Sequence, residues 1–376
     1  MSLGLTLIVR DEAERLGPLL DHHRGLADAV LVVDTGSVDG TAAVARQAGA
    51  AVVEHPWRDD FAAARNAGLD ALGTDWVLFL DADERIAARD FAAVRAATET
   101  GAAAWLQETW NYCGREHLEW RPVSGRYPAE EAGQAGYFVA RRVGLFPLRA
   151  DLRFSGRVHE SVLPAVERAG LALRPLDVPV HHYGFAGGAE ANAARRERYR
   201  RLVALKLADD PDDAAARLEW ATVLIEDGEA PRALPVLESL AAESGGRRPV
   251  VRGLVLLARL RRESGAAEAA RDLLREALRR DPAFLPAHLA AVRGAADDED
   301  WERAESLLRD AAAHGGGDDP RLLQEAVRVH SHRRHLGDAL GAAERLVALC
   351  PQWHEMRAVA DRLRTIIRAG GESAGP

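Results

Sequence analysis

Lysine is almost missing from this 376-residue chain: Lys206 is the only one among 49 basic residues, so no lysine chemistry can operate upstream of it. Cysteine is scarce as well. Cys113 and Cys350 stand too far apart in sequence for a metal knuckle or a redox pair, and a reduced compartment is the expectation. No apolar run approaches the roughly 18 residues that span a bilayer. The opening stretch, Leu3–Val9 followed by Arg10-Asp11-Glu12, shows no basic leader region. Together these features predict a cytoplasmic protein without a membrane span. A net charge of −9 argues against a protein that grips nucleic-acid phosphates. The 47% of hydrophobic residues excludes general disorder.

What is present is unevenly spread. Up to Glu190 there are 19 arginines against 27 acidic residues, and the remainder holds 30 basic against 31 acidic. The length suits about two domains, and the shift in composition predicts a boundary there, with domains at 1–190 and 191–376. In the first half, Leu3–Val9, Ala29–Val33, Ala51–Glu54 and Trp76–Leu80 read as strands. Glu12–His23, a segment opened by Asp39-Gly40-Thr41 and running through Gln47, and Phe61–Leu72 read as helices. Such alternation predicts an α/β, Rossmann-like domain with a parallel sheet covered on both faces. Ligands of such sheets gather beyond the carboxyl ends of the strands. Trp105–Tyr112, Tyr137–Arg142 and Leu171–Val180 are further strand candidates.

The second half reads as helical throughout and repeats. Ala233, Ala270, Ala304 and Ala342 recur at spacings near 34, each followed four residues later by Leu237, Leu274, Leu308 or Leu346. Gly228, Gly265 and Gly337 stand five residues before three of these alanines, and Asp281-Pro282 and Cys350-Pro351 close two units. This period, with small residues at helix contacts and proline at the exit, predicts tetratricopeptide-like helix pairs.

The polar residues that could carry chemistry sit at strand ends. Asp81 and Asp83 follow the apolar run Trp76–Leu80, and the two-residue strand period would put both on one side. Two neighbouring carboxylates repel unless a cation joins them, and a hard ion such as Mg²⁺ or Mn²⁺ suits oxygen ligands and shares them with phosphate. Asp34 ends the second strand and is placed to accept hydrogen bonds from a base or ribose. Gly36, Asp39 and Thr41 read as turn and cap residues. Arg65, early in the third helix, could hold a diphosphate bidentately or pair with Asp59 or Asp60.

In order and spacing, Leu5–Glu12, Val32–Thr41, the D-F-A-A-A-R-N run Asp60–Asn66 and Asp75–Glu84 resemble the family-2 glycosyltransferases of the GT-A fold. The whole arrangement, with tetratricopeptide-like helices behind the transferase half, is similar to a bacterial subgroup that includes sublancin-type peptide S-glycosyltransferases. The resemblance implies a nucleotide-diphosphate sugar donor, with a UDP-sugar favoured. It implies Arg10, Glu12 and Asp34 in the base and ribose pocket, Asp81 toward ribose and metal, and Asp83 as direct ligand of Mn²⁺ or Mg²⁺. Thr35 departs from the second aspartate that many relatives show and leaves base preference open. Phe154–Glu160 resembles the subgroup's G-R-x-H-E segment. Glu160 is the expected base for displacement with inversion, with Asp151 and Glu108 in reserve. The alternatives at that segment are a pairing of Arg157 with Glu160 and a helix cap by His159. His181-His182-Tyr183-Gly184 resembles the subgroup's H-Y-G, which implies His182 as a third metal ligand.

Other classes fit less well. A haloacid-dehalogenase-type phosphatase also uses D-x-D after a strand but needs a catalytic lysine, and a dinucleotide-binding dehydrogenase needs a glycine-rich turn where Val9-Arg10-Asp11-Glu12 stands. The serious alternative is a non-catalytic scaffold, a degenerate transferase half presenting the repeats to a partner. The helical half would suit docking of a peptide or protein acceptor, or a homodimer contact.

Overall fold

The computed structural model describes residues 1–101, 103–114, 120–184, 189–245, 248–351 and 353–372. The chain divides into two compact units, Met1–Trp120 with Ala132–Lys206, and Arg121–Glu131 with Leu207–Pro376. The join lies beyond the Glu190 read from composition, within the long helix α6 (Ala189–Asp209). Composition also gave no sign that Arg121–Glu131 belongs with the helical unit. Within that unit Arg121 approaches Asp319 at 3.8 Å. The buried Glu131 carboxylate closes the segment on itself, accepting from the backbone of Gly125 at 2.6 Å and Tyr127 at 3.2 Å.

The first unit is a mixed sheet. Its strands are β1 (Leu3–Val9), β2 (Ala29–Asp34), β3 (Ala51–Glu54), β4 (Trp76–Asp81), β5 (Glu84–Ile86), β6 (Ala103–Tyr112), β8 (Gly136–Pro147), β9 (Ala172–Pro175) and β10 (Val180–His182), with β7 (Arg121–Pro122) assigned to the second unit. Along the sheet the order is β3-β2-β1-β4-β8-β6-β10-β5, with β9 on β6. The first four strands run parallel and β8 enters antiparallel. The segment 171–180, read as one strand, is split into β9 and β10 by the turn at Leu176–Val178, and each part pairs parallel with a different stretch of β6.

Strand alternation sorts the core. Leu5, Leu7, Val32, Leu78 and Leu80 pack with Leu16 and Leu19 of α1 (Ala13–His22), Ala45 of α2 (Thr41–Gln47) and Val94 of α4 (Phe91–Thr98). Leu31, Val33, Val77 and Phe79 pack on the other face with Ala62 and Leu69 of α3 (Phe61–Ala71) and Val166 of α5 (Leu163–Arg168). Neighbouring strand residues therefore serve opposite layers, as the two-residue period requires. Helix α3 lies close on the sheet because Gly68 has no Cβ; one there would meet Thr6 Oγ1 at 2.8 Å and Val33 Cγ2 at 3.0 Å.

The second unit stacks helix pairs: α7 (Ala214–Glu226) with α8 (Ala230–Ala241), α9 (Arg248–Glu263) with α10 (Ala267–Arg280), α11 (Leu285–Asp297) with α12 (Trp301–Ala313), and α13 (Pro320–His332) with α14 (Leu336–Leu349), followed by α15 (His354–Glu372). Ala233, Ala270 and Ala304 are buried in the second helix of their pairs, as the repeat predicts. The fourth unit corrects the sequence reading. The residue equivalent to these three is the fully buried Ala339, and Ala342 lies one turn further along α14. The turn explains why. In each pair a left-handed residue stands two positions before the second helix: Gly228, Gly265, Glu299 and Arg334, at φ between 59° and 85°. Gly337 imitates the spacing but sits inside α14. Among the described residues no helix is long and apolar enough to cross a membrane.

Candidate active site

The carboxyl ends of β1 and β2 lie side by side, with Val9 opposite Asp34. Asp34 is buried, and its Oδ1 accepts from the backbone N–H of Gly36 at 3.0 Å and Ser37 at 2.8 Å. That closes the turn, which Gly36 completes at φ +107°. Thr35 donates its hydroxyl to the Val9 carbonyl at 2.9 Å, so its side chain clasps two strand ends. The β1–α1 loop is laced to the β2–α2 loop: Asp11 Oδ1 accepts from Val38 N–H, and Ser37 Oγ, Thr41 Oγ1 and Asp39 Oδ2 accept from the N–H groups of Asp11, Glu12 and Ala13. Gly36 has the turn duty expected of it and Asp39 accepts from Thr41 N–H, but the N-cap of α2 is Gly40, and the Thr41 hydroxyl serves the β1–α1 loop instead of capping α2. Asp11, at φ +54°, is a tie that sequence reasoning missed. Arg10 is half-exposed beside this rim, 3.8 Å from Asp11, and Glu12 pairs with Arg15 at 3.3 Å.

A second cluster forms at the end of β4. Arg65 is only 3% exposed; its Nε donates to Glu160 Oε1 at 2.5 Å and its Nη2 to Asp81 Oδ1 at 2.7 Å. Neither Asp59 nor Asp60 is its partner. Asp60 instead caps α3 by accepting from Ala63 N–H, and Asp59 accepts from Trp57 Nε1. Burial works against the Arg65 charge, but Asp81 and Glu160 outweigh it and hold the guanidinium protonated. Its Cζ lies 4.4 Å from the Phe79 ring centroid. Arg142, 4.5 Å from the same ring, forks onto the buried Glu84 at 2.6 and 2.8 Å, while Glu84 Oε2 accepts from Asp81 N–H at 2.8 Å. Burial pushes the Asp81 carboxyl up, and Arg65 and then Arg142 override that and hold it below the usual carboxylate range.

Asp83 turns elsewhere. Strand β4 ends at Asp81, so the two-residue period does not carry through to Asp83, and the two carboxylates have different partners. Asp83 Oδ1 lies 3.4 Å from His182 Nε2. His182 ends β10 between Asn111 of β6 and Glu84 of β5, and its Nδ1 meets Asn111 Oδ1 at 2.7 Å. An amide oxygen can only accept, so Nδ1 carries a proton, and Nε2 faces Asp83 as an N–H when the ring is charged and as a ligand lone pair when it is neutral. Burial would lower the His182 pKa, but Asp83, with Glu84 and Asp81 behind it, raises it. A Cβ on Gly184 would stand 2.4 Å from Nε2 and 2.5 Å from Asp83 Oδ2. The absent side chain therefore leaves a cradle close to metal–ligand distance from a neutral imidazole and a carboxylate, and this donor set fits Mn²⁺ or Mg²⁺.

The 154–160 segment is fastened to α3 twice. Besides the Arg65–Glu160 pair, Asn66 exchanges two hydrogen bonds with the Phe154 backbone, at 2.9 and 3.0 Å. Arg157 reaches the Asp59 carbonyl rather than Glu160. His159 is at φ +50° with its ring on Tyr199, and the helix that follows starts at Leu163, whose N–H Ser161 Oγ accepts. Of the reserve carboxylates, Glu108 pairs with Arg141 and Asp151 with Arg149, both at the surface. Arg142, Asn111 and Gly184 were not singled out from sequence. The H-Y-G segment contained the signal for Gly184, but Arg142 and Asn111 depend on strand register.

Residues 7–143 match the profile of glycosyl transferase family 2. A TPR repeat-containing protein of Synechococcus elongatus is 33% identical over 285 residues, 73% of this chain and 66% of that protein. A protein of Rickettsia felis named as an uncharacterized glycosyltransferase is 34% identical over 80 residues, 21% of this chain and 28% of its own. The chain thus spans just under two thirds of the first relative's length and about a quarter of the second's. Among solved structures, glucosyl-3-phosphoglycerate synthase of Mycobacterium tuberculosis, in complex with Mn²⁺, UDP and glucosyl-3-phosphoglycerate, covers 57% of this chain and 82% of its own at 17% identity, with a TM-score of 0.37.

Proposed function

We propose that this chain, which matches glycosyl transferase family 2 over residues 7–143, moves a sugar from a nucleotide-diphosphate donor, in first place a UDP-sugar, onto a nucleophilic acceptor. The observation that carries this reading is the buried Arg65 holding Glu160 and Asp81 together, in electrostatic reach of the Asp83–His182 pair.

In this reading Asp34, with Arg10 and Glu12 on the rim, receives the base and ribose, and Asp81 offers its exposed edge to the ribose. Asp83 and His182 would hold Mn²⁺ or Mg²⁺, which when bound with the donor diphosphate neutralises the charge of the leaving group. Glu160 takes the acceptor's proton as the acceptor oxygen, nitrogen or sulfur attacks the anomeric carbon from the face opposite the departing diphosphate, which inverts that centre. Arg65 is a positioning residue: with Nε and Nη2 committed to carboxylates, it fixes the base rather than gripping the diphosphate. The helical unit would dock a peptide or protein acceptor.

A thermal-shift panel of UDP-, GDP- and dTDP-sugars, each with and without Mn²⁺, tests the reading. A cognate donor at a hundredfold excess over its dissociation constant stabilises the protein by about 2.7 kcal/mol, and only with the ion. If no nucleotide sugar or diphosphate stabilises the protein under any condition, the chain is a scaffold and the proposal fails. The anomeric configuration of the product, read by NMR, separates inversion from retention.

A further inference from the structure

We infer that the helical unit carries a metal site of its own, between α11 and α12, built from His288, Asp310 and His314 and suited to Zn²⁺ or a similar borderline divalent ion. A carboxylate oxygen of Asp310 and one ring nitrogen from each histidine lie within 4.8 Å of one another.

Tautomer assignment makes both imidazoles ligands in waiting. His288 Nε2 lies 2.8 Å from the Pro282 carbonyl oxygen. A carbonyl only accepts, so Nε2 carries the proton and Nδ1 holds the lone pair. That Nδ1 is buried without a hydrogen-bond partner, in a side chain only 1% exposed, and it stands 3.8 Å from Asp310 Oδ2. His314 Nδ1 lies 2.9 Å from the Asp310 carbonyl oxygen, which likewise makes it the N–H and leaves the lone pair on Nε2. The two rings are stacked, 5.6 Å between centroids and 25° between planes. Ring N–H groups anchored on backbone carbonyls are the usual outer-shell support of metal-bound histidines.

The remaining ligand is free of competitors. The Asp310 carboxylate is 52% exposed, and among the described residues its ion-pair neighbours are the two histidines. Two imidazoles and one carboxylate, open to solvent on one side, match the three-protein-ligand pattern of zinc with a water in fourth place. The other histidine–carboxylate group of this unit, Glu305 with His330 and His335, is less suited. Its carboxylate is shared with the Arg333 guanidinium at 3.3 Å, a cation that an incoming ion would have to displace.

Zn²⁺ competition against a chromophoric chelator, on chelator-stripped full-length protein, tests the site. Visible absorption of the Co²⁺-loaded form reports histidine coordination in the same samples. His314→Ala and Asp310→Asn change exposed side chains and preserve the fold by circular dichroism; each is expected to weaken Zn²⁺ binding by about tenfold or more. Glu305→Gln and the double variant Asp83→Ala/His182→Ala keep the affinity of the site. The inference is overturned if His314→Ala and Asp310→Asn bind Zn²⁺ as wild type does, or if the Asp83→Ala/His182→Ala protein binds none.

Discussion

Replacing Arg65 by methionine keeps most of the volume and removes the charge. The side chain is 3% exposed and answers two carboxylates at 2.5 and 2.7 Å. Glu160, at 12% exposure, loses its partner in a nearly dry setting, where breaking a buried pair costs about 3 to 5 kcal/mol. Asp81 is 39% exposed, so solvent screens its share, which adds at most about 1 kcal/mol. Loss of the contact over Phe79 contributes about 0.5 to 2 kcal/mol, partly regained by methionine packing. The expected total is about 3.5 to 8 kcal/mol at neutral pH, less what methionine packing regains. Because the chain has two units, the suitable assay is amide hydrogen exchange of α3 and β4, which reads the opening of this region directly. The effect depends on pH with a definite sign. A carboxyl lowered in the folded state lends stability above its unfolded value, 3.8 for Asp81, and loses it as pH falls through the folded value. The share of the difference that Asp81 carries is therefore full above 3.8 and shrinks only as pH falls below that value. A difference under about 1 kcal/mol at pH 7, or one that does not shrink on acidification, would refute the reasoning.

Glu160→Gln is expected to lower sugar transfer by at least about a hundredfold while the donor still stabilises the protein in the thermal-shift panel; unchanged turnover would move the base elsewhere. Gly184→Ala places a methyl against His182 Nε2 and Asp83 Oδ2 and should abolish the Mn²⁺ dependence of donor binding without altering either ligand. Retention of the Mn²⁺ response would show that these two residues do not share an ion. Gly68→Ala, which drives a methyl into Thr6 and Val33, should cost about 1 to 3 kcal/mol by overpacking, measured as slowed or lost folding of the first unit. Glu299→Gly relieves a left-handed residue at φ 59° and should stabilise the helical unit by about 1 kcal/mol, seen as a higher denaturant midpoint.

The parallel half of the sheet was legible because its strands are short apolar runs that end in turn chemistry. Leu3–Val9, Ala29–Asp34 and Trp76–Asp81 each place a polar residue at the carboxyl edge. The site residues on these edges could be numbered from the sequence, whereas their pairings could not. Arg65 meets Glu160 across 95 positions and Glu84 meets Arg142 across 58, and nothing local encodes either distance. Strand β5, three residues long, carries too little periodicity to be seen, yet its pairing with β10 brings His182 beside the D-x-D turn. In the repeats, the alanine spacing was read correctly three times. At the fourth, Gly337 drew the register one turn along, because the left-handed position there is filled by Arg334 instead of glycine.

The double fastening of Phe154–Glu160 onto Asn66 and Arg65 also limits how this protein can vary in length. Two adjacent residues of α3 hold points only six positions apart on the other strand of chain. An insertion or deletion among the five residues between those points must release one clasp to keep the other, and so gives up either the seat of the segment or the aim of Glu160. A Cβ added at Gly170 would meet nothing within 4 Å, so the turn there has more room to change. Changes of chain length are therefore expected after α5, while the stretch before it keeps its count.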